Sequence, residues 1–215
     1  MYICAIDPGI VNLGLVYVHV ENEIITRVLF TGRIDLTNLP HKKVCYSQCT
    51  LNHTKDACDR VSHFIQEYRD ILDQADLILM ERQPLGGLVH IEQLLYHHFR
   101  EKTLLQSPNR IYSHFGIRDL DYDQRKQASV QRLLTRLGYL PDFIESVQKN
   151  YQDRLHDISD AFGLIFYYME TKETNVLKET NEIKKTNKTN EEPEHVSKYF
   201  LDSYFQQYKF IQKPL

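Results

Sequence analysis

The sequence contains no long apolar run and no recognisable export signal. None of its hydrophobic stretches approaches the roughly 20 residues that a membrane-spanning helix needs. Its first residues lack the positively charged segment and the cleavage site of a secretory signal. Hydrophobic content of 42% and charged content of 26% are ordinary for a globular protein. We therefore expect an intracellular, cytoplasmic protein.

The sequence also lacks the excess of positive charge that is common in nucleic-acid-binding proteins, since its formal net charge is −3. The charge is nevertheless distributed unevenly. Residues 82–136 contain nine Lys or Arg against five Asp or Glu. A nucleic-acid partner therefore remains open for the middle of the chain, although the whole chain is slightly acidic.

Cysteines are few, at positions 4, 45, 49 and 58. Cys4 lies inside an apolar run and is expected to be a small core residue. Cys45, Cys49, His53 and Cys58 are candidate soft metal ligands, but their spacing matches no common zinc pattern. Reduced thiols are therefore the simpler interpretation, and a structural zinc ion is the alternative.

Two short apolar runs each end in a carboxylate that a turn-forming segment follows. Residues 2–6 precede Asp7 and a Pro-Gly pair, and residues 76–80 precede Glu81 and the segment Arg-Gln-Pro-Leu-Gly-Gly. Apolar runs of this length, bounded by turn residues, are typical of buried strands. An ionised carboxylate beside the core is costly unless it is paired or bound to a metal ion. Both acids therefore need a compensating positive charge.

The chain of 215 residues is long enough for one domain and an extension. Further strands are predicted at 13–20, 24–34 and near 110–114. Helices are predicted at about 55–74, 88–102, 123–137 and 152–170. An opening hairpin followed by alternating strands and helices indicates an α/β domain with a mixed sheet.

The helix predicted at 152–170 adds two more carboxylates. Asp157 and Asp160 are three residues apart, so they project from one face of the helix, at the margin of its apolar stripe. Four acids brought together suit hard divalent cations, and oxygen ligands favour Mg²⁺ or Mn²⁺ over zinc. A pair of such ions activates water and stabilises the leaving oxygen in phosphodiester cleavage. The alternative is that each acid is an ordinary surface or capping residue.

The end of the chain differs in composition from the rest. Residues 171–194 are rich in Lys, Glu, Thr and Asn and poor in apolar residues, which predicts a flexible polar linker. Residues 195–215 contain six Tyr or Phe and are expected to form an aromatic C-terminal helix that docks on this chain or on a dimer mate. The predicted globular domain is thus confined to residues 1–170.

Three short motifs occur in a recognisable order: IDPG at 6–9, MERQ at 80–83 and HDISDA at 156–161. They resemble the acidic motifs of the RuvC group of the RNase H-like superfamily. The layout of residues 1–170 is most similar to the poxvirus-type Holliday-junction resolvases of large DNA viruses. This resemblance implies a central five-stranded mixed sheet flanked by helices, a homodimer, and Mg²⁺-dependent nicking of four-way DNA junctions. For a viral member it also implies a location in the host cytoplasm or in a viral factory.

The resemblance also assigns roles to residues. Asp7, Glu81, Asp157 and Asp160 match the family's catalytic metal ligands, which hold two Mg²⁺ ions for which Mn²⁺ can substitute. Lys126 lies where the family has a basic residue that contacts DNA. The candidate DNA-binding residues, whose phosphate contacts would give affinity rather than sequence choice, are Arg82, Arg125, Lys126 and Arg132, with Arg136 beside them.

Some positions depart from the family or have two interpretations. Bacterial members have an aromatic residue just after the strand-end Glu, where this chain has Pro84 and Leu85.

The helix at 88–102 is a candidate dimer interface through Ile91, Leu94, Leu95 and Phe99, and packing within the subunit is the alternative. His114 could assist proton transfer, but a structural role is the simpler interpretation.

Three other functions fit parts of the pattern. An RNase H-like nuclease acting on other branched or flap DNA would use the same acids. A non-catalytic DNA-binding module on the same fold would not need them. An actin-like phosphotransferase also begins with an IDxG motif, but it would require a second, duplicated domain that this chain is too short to contain.

Overall fold

A computed structural model describes residues 1–39, 56–151 and 154–186, with side chains described as far as residue 172. The chain divides into two units, Met1–Lys172 and Glu173–Leu215. Of the second unit the structure describes only a helical backbone as far as Thr186. The predicted aromatic helix at 195–215, and Cys45, Cys49 and His53, lie outside the described residues. The domain boundaries therefore stay predictions.

The described part of the first unit is built on one mixed sheet of five strands. In chain order these are β1 Tyr2–Asp7, β2 Leu13–Glu21, β3 Ile24–Ile34, β4 Leu77–Glu81 and β5 Thr103–Gln106. Their order across the sheet is β3-β2-β1-β4-β5. The first three strands pair antiparallel, whereas β4 pairs parallel with both β1 and β5. The predicted mixed sheet and its opening hairpin are confirmed.

The hairpin between β2 and β3 turns through two residues with positive φ, Asn22 at 48° and Glu23 at 63°. This backbone twist is the one that suits a two-residue hairpin turn. The strand β1 at the centre of the sheet is buried on both faces, because Ile3, Cys4, Ala5 and Ile6 are all inaccessible to solvent. This explains why its sequence is a continuous apolar run rather than an alternating one.

The helices of the described residues cover both faces of the sheet. In chain order they are α1 Ala57–Glu67, α2 Arg69–Gln74, α3 Val89–His98, α4 Pro108–His114, α5 Tyr122–Arg136, α6 Pro141–Asn150 and α7 Leu155–Thr186, with a 3₁₀ turn at Arg100–Lys102. Residues of α1, α2 and α3 pack with Cys4 and Ile6 on one face. Residues of α4 to α7 pack with Ile3 and Ala5 on the other face. None of the helices within these ranges is long and apolar enough to cross a membrane.

Three features of the fold differ from the sequence prediction. The strand predicted near 110–114 is wrong: Pro108 begins a helix there, with proline at its first position, and the strand is instead Thr103–Gln106. Helix α6, which begins at Pro141, was not predicted. Helix α7 continues to Thr186, so the first part of the predicted linker is helical, as its many Lys and Glu residues permit.

Candidate active site

Two of the predicted acids stand side by side at the ends of parallel strands. Ile6 of β1 pairs with Met80 of β4, so Asp7 and Glu81 follow next to each other at the carboxyl ends of these strands. Ala5 and Leu79, two residues earlier, belong to the core on the α4–α7 side. Because side chains alternate along a strand, both carboxylates project toward that same side.

Helix α7 brings the other two acids to this edge of the sheet. The first turns of α7 approach β2 closely at Gly14, which pairs with Asp7 across the sheet. A Cβ atom at Gly14 would lie 2.4 Å from the backbone oxygen of Asp157, a distance that no side chain can tolerate. Glycine at this position therefore lets the helix that carries Asp157 and Asp160 reach the end of β1.

Burial and neighbouring negative charges raise the pKa values of Asp7 and Glu81. Burial raises the pKa of Asp7 well above its ordinary value, and the charges of Glu81 and Asp160 raise it further. Burial and then Asp160 raise the pKa of Glu81 to about 7, although Lys126 and a hydrogen bond from Gln83 act in the opposite direction. When ionised, these acids thus need more positive charge than the described residues place beside them.

Helix α5 supplies an ammonium group, that of Lys126, which contacts Asp160. Lys126 Nζ donates a hydrogen bond to Asp160 Oδ2, and Ser129 Oγ donates one to Asp160 Oδ1 at 2.8 Å. Burial alone would lower the pKa of Lys126, but Asp160 beside it raises that pKa above its usual value. The ammonium also lies 5.3 Å from the centre of the Tyr122 ring.

Asp157 has partners of its own. It is 6% exposed, accepts a hydrogen bond from Arg154 Nε at 2.9 Å, and has His156 Nε2 at 3.2 Å from its other oxygen. Its charge also acts on Asp7. Among the described residues, no three His, Cys, Asp or Glu side chains converge closely enough to form a finished metal site. The four acids therefore interact electrostatically. Two of them already have a cationic partner, since Lys126 pairs with Asp160 and Arg154 pairs with Asp157.

A small cavity of about 30 Å³ adjoins the cluster, which is room for one or two water molecules. Six of the side chains that line it are Glu81, Tyr112, Arg125, Lys126, Arg132 and Asp160. Burial and then Glu81 raise the pKa of Tyr112 to about 12, so its hydroxyl group stays neutral. The cavity thus combines acidic, basic and neutral polar groups.

The predicted DNA-binding residues are divided between this cavity and other places. The Arg125 guanidinium lies 5.4 Å from the centre of the Tyr112 ring, and that of Arg132 lies 3.7 Å from the centre of the Phe115 ring. Arg82 is exposed just beyond β4. Arg136 pairs with Glu170, which also accepts a hydrogen bond at 2.7 Å from His114 Nε2. Arg136 and His114 therefore have a common partner outside the acidic cluster.

Helix α3 packs within the subunit. Ile91 and Leu95 are at most 1% exposed and belong to the core on the α1–α3 face, and Leu94 and Phe99 pack against that core. Ile91 and Leu95 therefore cannot form the predicted dimer interface, because an interface requires accessible side chains. Cys4 is buried as predicted, and Cys58 is a free cysteine at the surface.

Sequence reasoning missed three groups that contact or adjoin the site, Ser129, Tyr112 and Arg154, and one buried acid that contacts Gln83, Glu92. The spacing of Lys126 and Ser129 at i and i+3 on α5 was a usable signal, because both then face one partner. Arg154 could have been paired with Asp157 by the same rule, since the two are also three residues apart on one helical turn. For Tyr112 the incorrect strand at 110–114 concealed the signal. Glu92 is a buried carboxylate that the sequence gave no reason to single out.

The fold and the acidic cluster together define the class of this protein. The sheet order β3-β2-β1-β4-β5 gives the RNase H-like fold of the RuvC-type solved structures, and this chain places acids at the ends of the adjacent strands β1 and β4 and on a later helix. The family model described as Poxvirus A22 protein matches residues 1–172. The chain belongs to this family, and the predicted resemblance to the poxvirus-type resolvases is confirmed.

Solved structures support the same fold assignment. The chain is similar to a fowlpox virus resolvase solved with Holliday junction DNA, with a TM-score of 0.59, 18% identity, and coverage of 80% of this chain and 98% of that one. It is also similar to the yeast mitochondrial resolvase Ydc2, with a TM-score of 0.51, 18% identity and 78% of each chain covered. For Thermus thermophilus RuvC the TM-score is 0.51, at 15% identity over 81% of this chain and 97% of that one. No curated protein matches the chain.

Proposed function

We propose that this chain is a Holliday-junction resolvase that uses Mg²⁺ to nick four-way DNA junctions. Membership in the A22 family and the RuvC-type fold make it a divalent-metal-dependent endonuclease. The observation that carries the site assignment is the electrostatic connection among Asp7, Glu81 and Asp160, which come from β1, β4 and α7. The three acids come from separate elements, and two of them, Glu81 and Asp160, line the small cavity together with Arg125, Lys126 and Arg132.

The charge and the oxygen donors of the residues present fit a divalent cation, although no three of the described acids lie close enough together to enclose one. Asp7, Glu81 and Asp160 with the ammonium of Lys126 leave an excess of two negative charges when all are ionised. Burial first, and then the neighbouring negative charges, raise the pKa values of Asp7 and Glu81. All donors are oxygens, which suit Mg²⁺ or Mn²⁺. Asp7, Glu81 and Asp160 would hold the metal, with Asp157 beside Asp7. When bound, paired Mg²⁺ ions activate water and stabilise the departing 3′-oxygen.

The chain's own side chains would hold the DNA backbone next to these acids. Arg125 and Arg132 are stacked on Tyr112 and Phe115, so their guanidinium groups are held in place before DNA arrives. Lys126 neutralises Asp160 and stands at the same cavity. Arg82 is exposed directly after the strand that ends in Glu81. Such phosphate contacts would give affinity that falls with salt concentration.

A two-fold dimer and a cytoplasmic location belong to the same proposal. A four-way junction needs two incisions related by symmetry, which two copies of one active site would supply. For a viral member of the A22 family, the corresponding place of action is the host cytoplasm or a viral factory.

The experiment that tests this function compares DNA substrates. The purified chain with Mg²⁺ is expected to nick a synthetic four-way junction at least about tenfold faster than a linear duplex of the same arms. Equal rates on the junction, on flap DNA and on an RNA–DNA hybrid would leave a nuclease but contradict the junction-specific assignment. Tight junction binding with no nicking under any divalent metal would indicate the non-catalytic DNA-binding alternative.

A further inference from the structure

One buried carboxylate has no place in the mechanism described above. Glu92 of α3 is 3% exposed. Its Oε2 atom accepts a hydrogen bond of 2.5 Å from the backbone N–H of Gln83, and its Oε1 atom accepts one of 3.0 Å from the side-chain amide of Gln93. No Lys, Arg or His among the described residues forms an ion pair with it. A carboxylate held in the interior by neutral donors is costly, and its position therefore calls for a reason.

The hydrogen bond from Gln83 to Glu92 lies at the point where the pairing between β4 and β5 ends. Arg82 N donates to Gln106 O at 2.8 Å, which continues the pairing of β4 with β5 one step past Glu81. The next backbone donor, that of Gln83, has no strand partner and is taken by Glu92. Pro84, which follows, has no N–H group. Glu92 thus anchors the backbone at Gln83, directly after the strand pairing ends.

Gln83 also touches the active site. Its side-chain Nε2 donates a long hydrogen bond of 3.4 Å to Oε1 of Glu81. One residue is therefore held through its backbone by Glu92 while its side chain reaches the carboxylate of Glu81. The position of the Gln83 backbone determines where its side-chain amide points. The hydrogen bond from the Gln83 backbone to Glu92 therefore also constrains the contact of the Gln83 amide with Glu81.

We propose that Glu92 is a positioning residue that orients Glu81 for metal binding through Gln83. This inference rests on the proposed function, in which Glu81 is a metal ligand. Groups that orient ligands from the outer shell are commonly worth about 10- to 100-fold in metal affinity or activity. A merely structural Glu92 would instead lower the stability of the fold and leave the metal dependence unchanged.

Four variants separate these two roles. Glu92→Met removes both acceptor oxygens at similar volume, whereas Glu92→Gln keeps one oxygen for the Gln83 N–H group. Gln83→Ala keeps the backbone bond but removes the amide that reaches Glu81. Gln93→Ala is the matched control, because it removes the donor to the other oxygen of Glu92 and leaves the path to Glu81 intact.

Three measurements are made on each full-length variant: thermal stability, Mn²⁺ binding without DNA by electron paramagnetic resonance, and junction nicking as a function of Mg²⁺ concentration. We expect Gln83→Ala and Glu92→Met each to weaken Mn²⁺ binding about tenfold and to raise the half-saturating Mg²⁺ concentration to match. Glu92→Gln should restore most of the native value, and Gln93→Ala should equal the native protein. The double variant of Gln83→Ala and Glu92→Met should lose no more than the larger single loss, since both act on one path.

Native metal binding in Gln83→Ala would overturn the inference, as would a Glu92→Met protein that is destabilised but has native metal dependence. If Glu92→Met does not fold, Gln83→Ala and Glu92→Gln decide the matter. Failure of the proposed function looks different, because the native protein itself would then not nick junctions at any metal concentration.

Discussion

Glu81 is an acid whose ionisation the fold opposes. Burial and the nearby charge of Asp160 raise its pKa to about 7, whereas the same carboxyl group in an unfolded chain titrates near its ordinary value of 4.5. The folded state therefore holds this proton more tightly than the unfolded state does. By linkage, the resulting stabilisation is complete below pH 4.5 and is lost as the pH rises through about 7.

The first prediction concerns this proton. In a chelator, the melting temperature of the native protein should fall relative to that of Glu81→Gln as the pH rises from 4.5 to 7.5, because the amide cannot ionise. At pH 4.5 the two proteins should have similar stability, and at pH 7.5 the variant should be the more stable. Differential scanning calorimetry at several pH values measures the difference. A difference that does not change with pH would contradict the raised pKa of Glu81.

Among the secondary-structure elements, the contact between β2 and α7 depends on Gly14, because the missing side chain lets the helix approach the strand closely. A Cβ there would lie 2.4 Å from the Asp157 backbone oxygen, so Gly14→Ala forces the strand and the helix apart. We expect a loss of about 1–3 kcal/mol in unfolding free energy, together with a larger loss of nicking activity, since Asp157 and Asp160 move with the helix. Chemical denaturation and junction nicking are the measurements.

The matched control for this prediction lies on α7 itself. Around Gly163, a Cβ would meet nothing within 4 Å, because this glycine lines the small cavity beside the acids; Gly163→Ala is therefore a control for stability. Alanine is favoured over glycine inside a helix by roughly 1 kcal/mol, so the variant should be as stable as the native protein or more so. Destabilisation by Gly163→Ala equal to that by Gly14→Ala would show that the close approach is not the cause.

Helix α5 has a defined beginning that places Lys126 and Ser129. Asp121 accepts a hydrogen bond of 2.8 Å from the Gln124 backbone, and the Gln124 side chain accepts one of 3.2 Å from the Asp121 backbone. Asp121→Ala should therefore cost about 1 kcal/mol of stability. Ser107→Ala should change stability by less than about 0.5 kcal/mol, because Ser107 precedes α4 without a capping side-chain bond. Equal losses in the two variants, measured by urea denaturation, would argue against the capping role of Asp121.

The elements that the sequence could predict are those with a strong local signal. β1 and β4 are continuous apolar runs that end in an acid and a turn, and both were found within one residue. The sequence at 110–114 does not distinguish a strand from a helix, because Ile111 and Tyr112 suit both in so short a segment. Pro108 at the helix start was the competing signal, and tertiary packing of Ile111 into the core decided the outcome.

At the scale of the whole molecule, the site combines parts that are far apart in the chain. That Asp7, Glu81 and Asp160 belong together could be predicted, because strand ends and a helical i, i+3 pair carry positional information. That Lys126 would contact Asp160 could not be predicted from spacing, since the two residues are 34 positions apart on separate helices. The support of Glu81 by Gln83 and Glu92 also depends on how α3 packs, which no local pattern encodes.

The proposed dimer leads to a prediction about the timing of cleavage. Two active sites on one junction should introduce both nicks during a single binding event. On a supercoiled plasmid with an extruded cruciform, the linear product should therefore appear without an accumulating nicked-circle intermediate. Light scattering should give twice the chain mass. A monomer by light scattering, with nicked circles that accumulate, would contradict the two-fold arrangement.

The central claim is that Asp7 serves metal-dependent cleavage of junctions, and one substitution tests it directly. Asp7→Asn keeps the shape of the side chain but removes its charge. Because outer-shell groups alone are commonly worth about 10- to 100-fold, loss of this ligand should slow Mg²⁺-dependent nicking of a four-way junction by more than about 100-fold. Junction binding in a gel-shift assay without Mg²⁺ should persist. A variant that binds the junction and nicks it at the native rate would contradict the account.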